Sequence, residues 1–245
     1  MQPMSLMGAA AVQIRGRDDS VSVTELSLLT LPAFDAATPW RRFRAYRGQR
    51  HYSGSYWSAT MESLVGYESR LELANLLGED FDPSTVWILS QPFLVEGRDG
   101  SRKRRHVPDY LVERTGGRAC VIDVKPAALL SDPKIAAALT WSGQLVESIG
   151  WDYVVLSEPE PVRLSNLKFL AGYRRAFQFA PVEVEAVRLS VQEPMTFGQA
   201  CRVGAAQLAE PEYARGIVLH LLWAGRLTTD LSAPLASTAI VEPAW

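Results

Sequence analysis

The chain has 245 residues, of which 47% are hydrophobic and 21% are charged, as expected for a globular protein with one large domain or a medium domain and a small one. Its net charge of -2 excludes binding to nucleic acid through overall charge, so such contacts must come from local patches or partners. Two cysteines, Cys120 and Cys201, exclude a disulfide framework and fit a cytoplasmic location.

The apolar segments of the chain predict neither targeting nor membrane insertion. Residues 7–12 form a brief apolar patch without a basic segment before it, so we expect no signal peptide. Residues 216–224 are interrupted by His220 and are too few to span a bilayer. We therefore expect no contact with a membrane.

Residues 1–45 show no sustained periodicity and are predicted to form a partly ordered N-terminal arm. Closely spaced arginines lie at and beyond its end: Arg41, Arg42, Arg44, Arg47 and Arg50. This cluster is either a solvated surface or an arm that contacts phosphate, and the sequence leaves both interpretations open.

Residues 46–180 alternate between helical and strand patterns, which predicts one α/β domain. The apolar side and acidic stripe of residues 58–77 predict a helix that ends at Asp82-Pro83. Further strands are predicted at residues 86–89, 93–96, 104–112, 119–125 and 153–156, and further helices at 133–149 and 164–175. The entirely apolar strand 153–156 is typical of a strand buried on both faces. Antiparallel strands followed by a crossover helix predict a mixed sheet with helices on both sides.

Residues 181–245 predict a separate, small α+β domain. A helix is predicted to start near Thr196, a good N-cap residue, and a second one covers residues 211–224. Two β-like pieces follow, at 227–231 and 239–241. Helix, helix and hairpin is the winged-helix layout, although many small α+β segments show the same order.

Two acidic residues lie in apolar, β-branched surroundings and are the strongest functional signal. Asp109 follows Pro108, and Asp123 comes fourteen residues later in the segment Val121-Ile122-Asp123-Val124-Lys125. Asp123 and Lys125 are two residues apart, so they share one face of a strand. Carboxylates of neighbouring strands bind a hard divalent cation, and a lysine beside them positions water or stabilises charge on a phosphate. Pro-Asp followed by Asp-x-Lys is typical of restriction-endonuclease-like nucleases.

Both aspartates also have a structural explanation. An aspartate after proline is usually a turn residue, and Asp123 with Lys125 is explained by an ion pair. A carboxylate that is buried without a partner costs several kcal/mol, so Asp123 needs a metal ion or Lys125 beside it. The two strands taken together favour the nuclease interpretation.

Further candidates lie on the helix before the sheet and on the strand that leads into Asp109. Glu72 is the candidate for a third carboxylate, with Glu68 one turn earlier as the competing choice and a solvated helix face as the alternative to both. The candidate DNA-binding residues are Arg102, Lys103, Arg104, Arg105 and His106. On a strand, Arg104 and His106 lie on one face and Arg105 on the other, so they cannot all contact DNA.

An ordered series of segments between about residues 51 and 175 resembles the TnsA-type endonuclease subunit of heteromeric transposases. The segments are Ser69-Arg70-Leu71-Glu72, Gln91-Pro92-Phe93, Pro108-Asp109-Tyr110-Leu111-Val112, Asp123-Val124-Lys125-Pro126-Ala127, Gly150-Trp151 and Asn166-Leu167-Lys168-Phe169-Leu170. The ordered series is much more specific than any one of them.

The resemblance implies a restriction-endonuclease-like core that binds Mg²⁺, with Mn²⁺ as a substitute, and cleaves the 5′ strands at transposon ends. The family's catalytic glutamate matches Glu72, its metal-binding aspartate Asp109 and its lysine Lys125. The best-known member has glutamine at the position of Asp123. Aspartate matches the wider nuclease superfamily and is expected to strengthen metal binding, together with the backbone carbonyl of Val124.

The resemblance also implies partners: a DDE-type transposase subunit that joins the 3′ ends and an ATP-dependent regulator. Its winged-helix-like second domain agrees with the pattern of residues 181–245. The slightly negative net charge of the chain favours a subunit that its partners bring to DNA. The alternatives are a stand-alone restriction or repair nuclease of the same fold and a non-catalytic DNA-binding scaffold.

Overall fold

The structure is a computed structural model that describes residues 10–41 and 52–244. Two compact units make up the chain. One contains the described residues up to Leu76 together with Ser84–Glu158, and the other contains Leu77–Pro83 and the described residues from Pro159 on. The main division, after Glu158, falls earlier than the predicted boundary at residue 180.

Strands and helices occur in both units, which confirms the predicted α/β class. The strands of the first unit are β1 (Ala11–Gly16), β2 (Val21–Glu25), β3 (Ala37–Thr38), β4 (Gly54–Ser58), β5 (Ser63–Tyr67), β6 (Thr85–Ser90), β7 (Leu94–Asp99), β8 (Arg102–His106), β9 (Tyr110–Arg114), β10 (Arg118–Val124) and β11 (Asp152–Leu156). Its helices are α1 (Arg70–Phe81), whose last residues belong to the second unit, and α2 (Pro133–Ser148). The second unit contains α3 (Pro161–Leu170), α4 (Pro181–Ser190), β12 (Met195–Thr196), α5 (Phe197–Ala205), α6 (Ala214–Trp223), β13 (Leu227–Thr229) and β14 (Ile240–Pro243). Short 3-10 helices cover Leu26–Leu28, Leu31–Phe34, Ala127–Leu129, Ala171–Tyr173, Ala176–Gln178 and Pro211–Tyr213.

The described residues of the predicted N-terminal arm form part of a sheet. Strand β1 pairs with β2, β3 and β7, all antiparallel. Val12 and Ile14 alternate with polar neighbours and are buried, which is the period-two pattern of a strand with one face in the core. This part of the chain therefore belongs to the folded first unit. Of the arginine cluster, Arg41 is described and Arg42, Arg44, Arg47 and Arg50 lie outside the described residues.

The predicted helix over residues 58–77 is wrong in its first half. Strands β4 and β5 form an antiparallel hairpin there, and α1 begins only at Arg70. Ser69 caps α1, because its Oγ accepts a hydrogen bond from the backbone N–H of Glu72. The Ser-x-x-Glu spacing of a capping box marks this start in the sequence.

The four-stranded sheet of the first unit has the order β11-β10-β9-β6. Strands β6, β9 and β10 are antiparallel neighbours, whereas β10 and β11 are parallel and are connected by α2. This confirms the predicted mixed sheet with its crossover helix. Helix α2 begins where Asp132 accepts hydrogen bonds from the backbone N–H groups of Lys134 and Ile135.

The predicted strand over residues 104–112 is two strands in two different sheets. Strand β8 is an edge of the sheet with the order β2-β1-β7-β8, whereas β9 lies in the four-stranded sheet. Pro108 lies between them and has no N–H to donate to a ladder, so pairing ends there. Asp109 consequently lies in the connection between the sheets, just before β9, and not within a strand.

Strand β11 is not buried on both faces, as its apolar sequence predicted. It is an edge strand, and Val154 is exposed. The buried core of the first unit is formed instead by residues of both larger sheets and α2, including Val12, Leu111, Val121 and Leu145.

In the second unit, α4, α5 and α6 pack on one another, and β12, β14 and β13 form an antiparallel sheet. Thr196 caps α5 through a capping box with Gln199, as its position predicted. Ile217, Leu219 and Leu221 of α6 are fully buried. The predicted order of helix, helix and hairpin is therefore present in this part of the chain.

None of the helices in the described ranges has both the length and the apolar character that crossing a membrane requires.

Close packing of α4 against α5 gives a first test of the fold. A Cβ added to Gly204 in α5 would lie 2.9 Å from Cγ1 of the fully buried Val187 in α4, whereas one added to Gly78 in α1 meets nothing within 4 Å. We expect Gly204→Ala to lower the free energy of unfolding by about 1–2 kcal/mol, although alanine is the better helix former. The control Gly78→Ala should be neutral or stabilising by up to about 1 kcal/mol. Urea denaturation followed by tryptophan fluorescence measures both, and stabilisation by both variants would contradict the tight helix contact.

Candidate active site

Asp109, just before β9, is held in place by backbone groups of the segments on both sides of it. Its backbone N–H donates to Ile122 O at 3.1 Å, and its carbonyl accepts from the N–H of Gln91 at 2.8 Å. Its Oδ2 accepts a 2.6 Å hydrogen bond from the N–H of Val124 at the end of β10. Within the described residues, Oδ1 has no hydrogen bond, so one carboxylate oxygen of a rigidly placed Asp109 is available to a ligand.

Lys125 follows β10 directly and bridges two of the predicted metal ligands. Its Nζ donates to Asp109 Oδ2 at 3.3 Å and to the carbonyl of Val124 at 3.0 Å. Its backbone N–H donates to Leu156 O of β11, which fixes the start of its side chain. Asp109 and the Val124 carbonyl therefore already converge on one cation, the lysine ammonium.

Glu72 lies in the first turn of α1, and its carboxylate also closes the N-terminus of that helix. Oε2 accepts from the N–H of Glu68 at 2.7 Å, and Oε1 accepts from the hydroxyl of Ser69 at 2.9 Å. The carboxylate of Glu68 instead accepts from Arg41 at 3.3 Å in an exposed ion pair. Of the two candidate glutamates, Glu72 is the one whose charge interacts with Asp109.

Asp123 is fully buried, and its partners differ from those predicted. Nε2 of His106 lies 2.8 Å from each carboxylate oxygen, and the hydroxyl of Tyr153 donates to Oδ2 at 2.6 Å. The hydrogen bonds from His106 and Tyr153 satisfy this buried carboxylate without Lys125 or a metal ion. Lys125 contacts Asp109 instead. We call Asp123, His106 and Tyr153 the Asp123 cluster.

Burial and mutual repulsion shift the pKa values of the acids. Burial raises the pKa of Glu72 to about 7; the hydrogen bond from Glu68 opposes this shift, and the charge of Asp109 adds to it. Burial also raises the pKa of Asp109, against the effect of Lys125 and with that of Asp123. For Asp123, burial acts in the same direction, but the hydrogen bonds and charge of His106, with Tyr153 and Lys125, bring its pKa below the ordinary value. The charges of the three carboxylates and of Lys125 therefore influence one another.

Hard oxygen donors at this place fit a magnesium ion. Mg²⁺ is usually bound by one or two carboxylates, water and substrate phosphate, and Asp109, the Val124 carbonyl and Glu72 are donors of that kind. Across residues 10–41 and 52–244, no three His, Cys, Asp or Glu side chains are already grouped as metal ligands. Asp123, predicted as a further ligand, has both oxygens bonded within its cluster, and Glu72 would have to give up a hydrogen bond from Glu68 or Ser69 to bind the ion directly.

The predicted DNA-binding residues form β8, and the strand divides them by face. Arg102, Lys103 and Arg105 are exposed, whereas Arg104 is largely covered and pairs with Asp99 at 2.7 Å. Arg105 lies 3.8 Å from Glu96. His106 turns inward to Asp123, so it is a partner of the site and not a solvent-facing residue. The predicted alternation of Arg104 and His106 against Arg105 is confirmed.

Two residues of the site region were not singled out from the sequence. Tyr153 lies in an apolar strand, and its hydroxyl was the one polar group there that signalled a hydrogen-bond partner. Gln91 has a φ of 45°, a left-handed conformation that is uncommon for a residue other than glycine. It donates its N–H to Asp109 O, and its side chain accepts from the N–H of Arg41. Its position before Pro92 in the segment Gln91-Pro92-Phe93 was the available signal.

Comparison of the sequence with models of protein families and with curated proteins gives no match.

The raised pKa of Glu72 predicts how stability depends on pH in metal-free buffer. Because the folded chain holds this proton up to about pH 7 and an ordinary glutamate loses it near 4.5, the free energy of unfolding should fall between these pH values, by at most about 3 kcal/mol. Glu72→Gln removes the titration and keeps an oxygen for the helix cap. Its stability relative to the unmodified chain should therefore rise from pH 5 to pH 8.

Glu158→Gln is the matched control for this pH series. Glu158 accepts a hydrogen bond from the N–H of Ala127, which lowers the pKa of its carboxyl group. The pH dependence of its contribution to stability is therefore opposite to that of Glu72. The Glu158 variant should lose stability relative to the unmodified chain above its ordinary pKa. Urea denaturation at each pH measures both, and identical pH profiles for the Glu72 variant and the unmodified chain would contradict the assignment.

Proposed function

We propose that this protein is a metal-dependent DNA endonuclease that uses Mg²⁺ or Mn²⁺ and works as the nuclease subunit of a heteromeric transposase. The observation that carries the proposal is the placement of Lys125 Nζ 3.3 Å from Asp109 Oδ2 and 3.0 Å from the Val124 carbonyl oxygen. Two oxygens that already hold one cation could hold a divalent ion, which activates water and neutralises charge in phosphodiester hydrolysis.

Each residue has a role that follows from its place. Asp109 and the Val124 carbonyl would hold the divalent ion, and Glu72 would complete the set directly or through water. When bound, the ion neutralises charge on the phosphate and lowers the pKa of a water molecule. Lys125 would give up Asp109 Oδ2 and the Val124 carbonyl oxygen to the ion, and its ammonium, still next to Asp109 in the fold, would orient the attacking water or stabilise negative charge on the phosphate.

Strand β8 supplies the proposed contact with DNA. Arg102, Lys103 and Arg105 are exposed on an edge strand that leads, through Val107 and Pro108, into Asp109. Cations near the cleavage site would bind the phosphates on either side of it. Arg104 contributes less, because Asp99 already neutralises it.

The assignment to a transposase rests on the ordered series of TnsA-like segments. It implies a restriction-endonuclease-like core, a winged-helix-like second domain, a DDE-type transposase partner and an ATP-dependent regulator. The first unit supports the core through its mixed sheet, and the second unit supports the other domain through its helices and small antiparallel sheet. A net charge of -2 supports recruitment to DNA by partners. Efficient cleavage by the purified chain alone would favour a stand-alone nuclease.

A non-catalytic DNA-binding scaffold is the second candidate. It is favoured by the structural partners of two of the acids, because Glu72 caps α1 and Asp123 bonds to His106 and Tyr153. Metal binding separates it from the nuclease.

Substitution of Asp109 and Lys125 tests the nuclease. We expect Asp109→Asn to weaken Mn²⁺ binding by at least about tenfold and to abolish the slow nicking of supercoiled plasmid that the chain should show without its partners. Lys125→Met should slow nicking by at least about 100-fold while Mn²⁺ binding is unchanged or tighter, because the ammonium no longer competes for Asp109 Oδ2. Calorimetry and gel assays measure these effects.

Asp152→Asn is the matched control, because Asp152 is an exposed aspartate at the start of β11 in the same sheet. It should leave metal binding and nicking unchanged. Mn²⁺ binding that is the same in the Asp109 variant and the unmodified chain would leave only the scaffold.

A further inference from the structure

The contact between Asp123 and His106 connects two strands, β10 and β8, that belong to different sheets and do not pair with each other. Asp123 lies in β10 of the four-stranded sheet, whereas His106 is the last residue of β8 in the other large sheet. Tyr153 reaches the same carboxylate from β11. One buried side chain therefore joins the two sheets next to the candidate active site.

Asp123 is buried at the centre of the cluster, and both of its carboxylate oxygens are hydrogen-bonded. The Asp123 side chain is 0% exposed, and each of its oxygens has a partner at 2.6 or 2.8 Å. Charge-assisted hydrogen bonds of this length are strong and directional. Gly143 of α2 leaves room for the Tyr153 ring, since a Cβ there would lie 2.8 Å from it. The carboxylate, the ring and the imidazole are thus held by packing as well as by bonding.

His106 lies between the basic residues of β8 and Asp109, so its contact with Asp123 affects both. It lies three residues before Asp109 and directly after the exposed cations Arg102, Lys103 and Arg105. Successive side chains of a strand point to opposite faces, so an inward His106 requires an outward Arg105. Fixing His106 therefore fixes both the end of the basic strand and the chain that enters Asp109.

We propose that Asp123 is a positioning residue that, through His106, holds the basic strand β8 at a fixed place relative to Asp109, so that DNA phosphates bound by β8 meet the candidate catalytic groups. The inference rests on the proposed nuclease function and changes the role of Asp123, which then serves the substrate and not the metal. Tyr153 stabilises Asp123 without touching β8.

Binding of a fluorescein-labelled duplex DNA to the full chain tests this role, measured by anisotropy in EDTA at several salt concentrations. His106→Phe removes the donor to Asp123 and should weaken binding about five- to tenfold at low salt. It should also reduce the slope of log affinity against log salt by about one to two, since each lost phosphate contact lowers it by about 0.9. His106→Gln keeps an N–H donor and should bind within about twofold of the unmodified chain.

Two further variants separate positioning from general stability. Tyr153→Phe removes the other bond to Asp123, so it should lower the melting temperature and leave the salt slope unchanged. The double variant His106→Phe with Asp123→Leu replaces both partners by apolar side chains, which protects folding. It should bind DNA as weakly as the single His106→Phe variant and keep Mn²⁺ affinity within about threefold, because Asp109 is intact.

The outcomes distinguish the inference from the function on which it rests. Unchanged salt slopes in both His106 variants, a Tyr153→Phe slope as low as that of His106→Phe, or a tenfold loss of Mn²⁺ affinity in the double variant would each overturn the positioning role alone. An unmodified chain that binds no duplex DNA even at low salt would overturn the proposed contact of β8 with DNA and the inference together, whereas Mn²⁺ binding that does not depend on Asp109 would overturn the proposed nuclease.

Discussion

The candidate site depends on one interaction, the hydrogen bond from the backbone N–H of Val124 to Asp109 Oδ2. It ties the connection before β9 to the end of β10, and it leaves the other Asp109 oxygen open. Lys125 comes next in the chain, so the same contact brings its ammonium to Asp109. The backbone of β10 thus holds the Asp109 carboxylate, and Lys125 meets it because it follows β10 directly. Catalytic groups need this kind of support to keep a productive arrangement.

The contact between Asp109 and Lys125 agrees with a prediction from local sequence, because the pattern behind it is local. Asp123 and Lys125 are two residues apart on a strand, and Pro108 precedes Asp109 at the entry to the next strand. The mixed sheet with its crossover helix followed from the order of the elements and was also predicted. The capping-box spacing of Ser69 and Glu72 was present in the sequence, but the leucines and acids around it extended the predicted helix too far toward the N-terminus.

The partners of Asp123 were not readable, for a physical reason. His106 lies 17 residues before it and Tyr153 lies 30 residues after it, so only the tertiary fold brings them together. From the sequence, a buried carboxylate beside Lys125 required a cation, and the histidine was assigned to a charge run. The run forms a strand of its own, β8, and its last residue, His106, faces Asp123. Long-range contacts of this kind override the assignment that local charge favours.

The basic composition of β8 has two physical explanations that the sheet itself can separate. Lysine and arginine on an edge strand prevent pairing with another chain, so protection of the edge alone would account for them. The opposite edge of the same sheet is β2, where Val21 and Val23 are 49% and 66% exposed and no basic residue occurs. If edge protection governed this sheet, β2 would need it more than β8. Pairing with Asp99 and Glu96 of β7 accounts for Arg104 and Arg105, and under the proposed function DNA phosphate would be the ligand of the exposed cations on the edge that leads into Asp109.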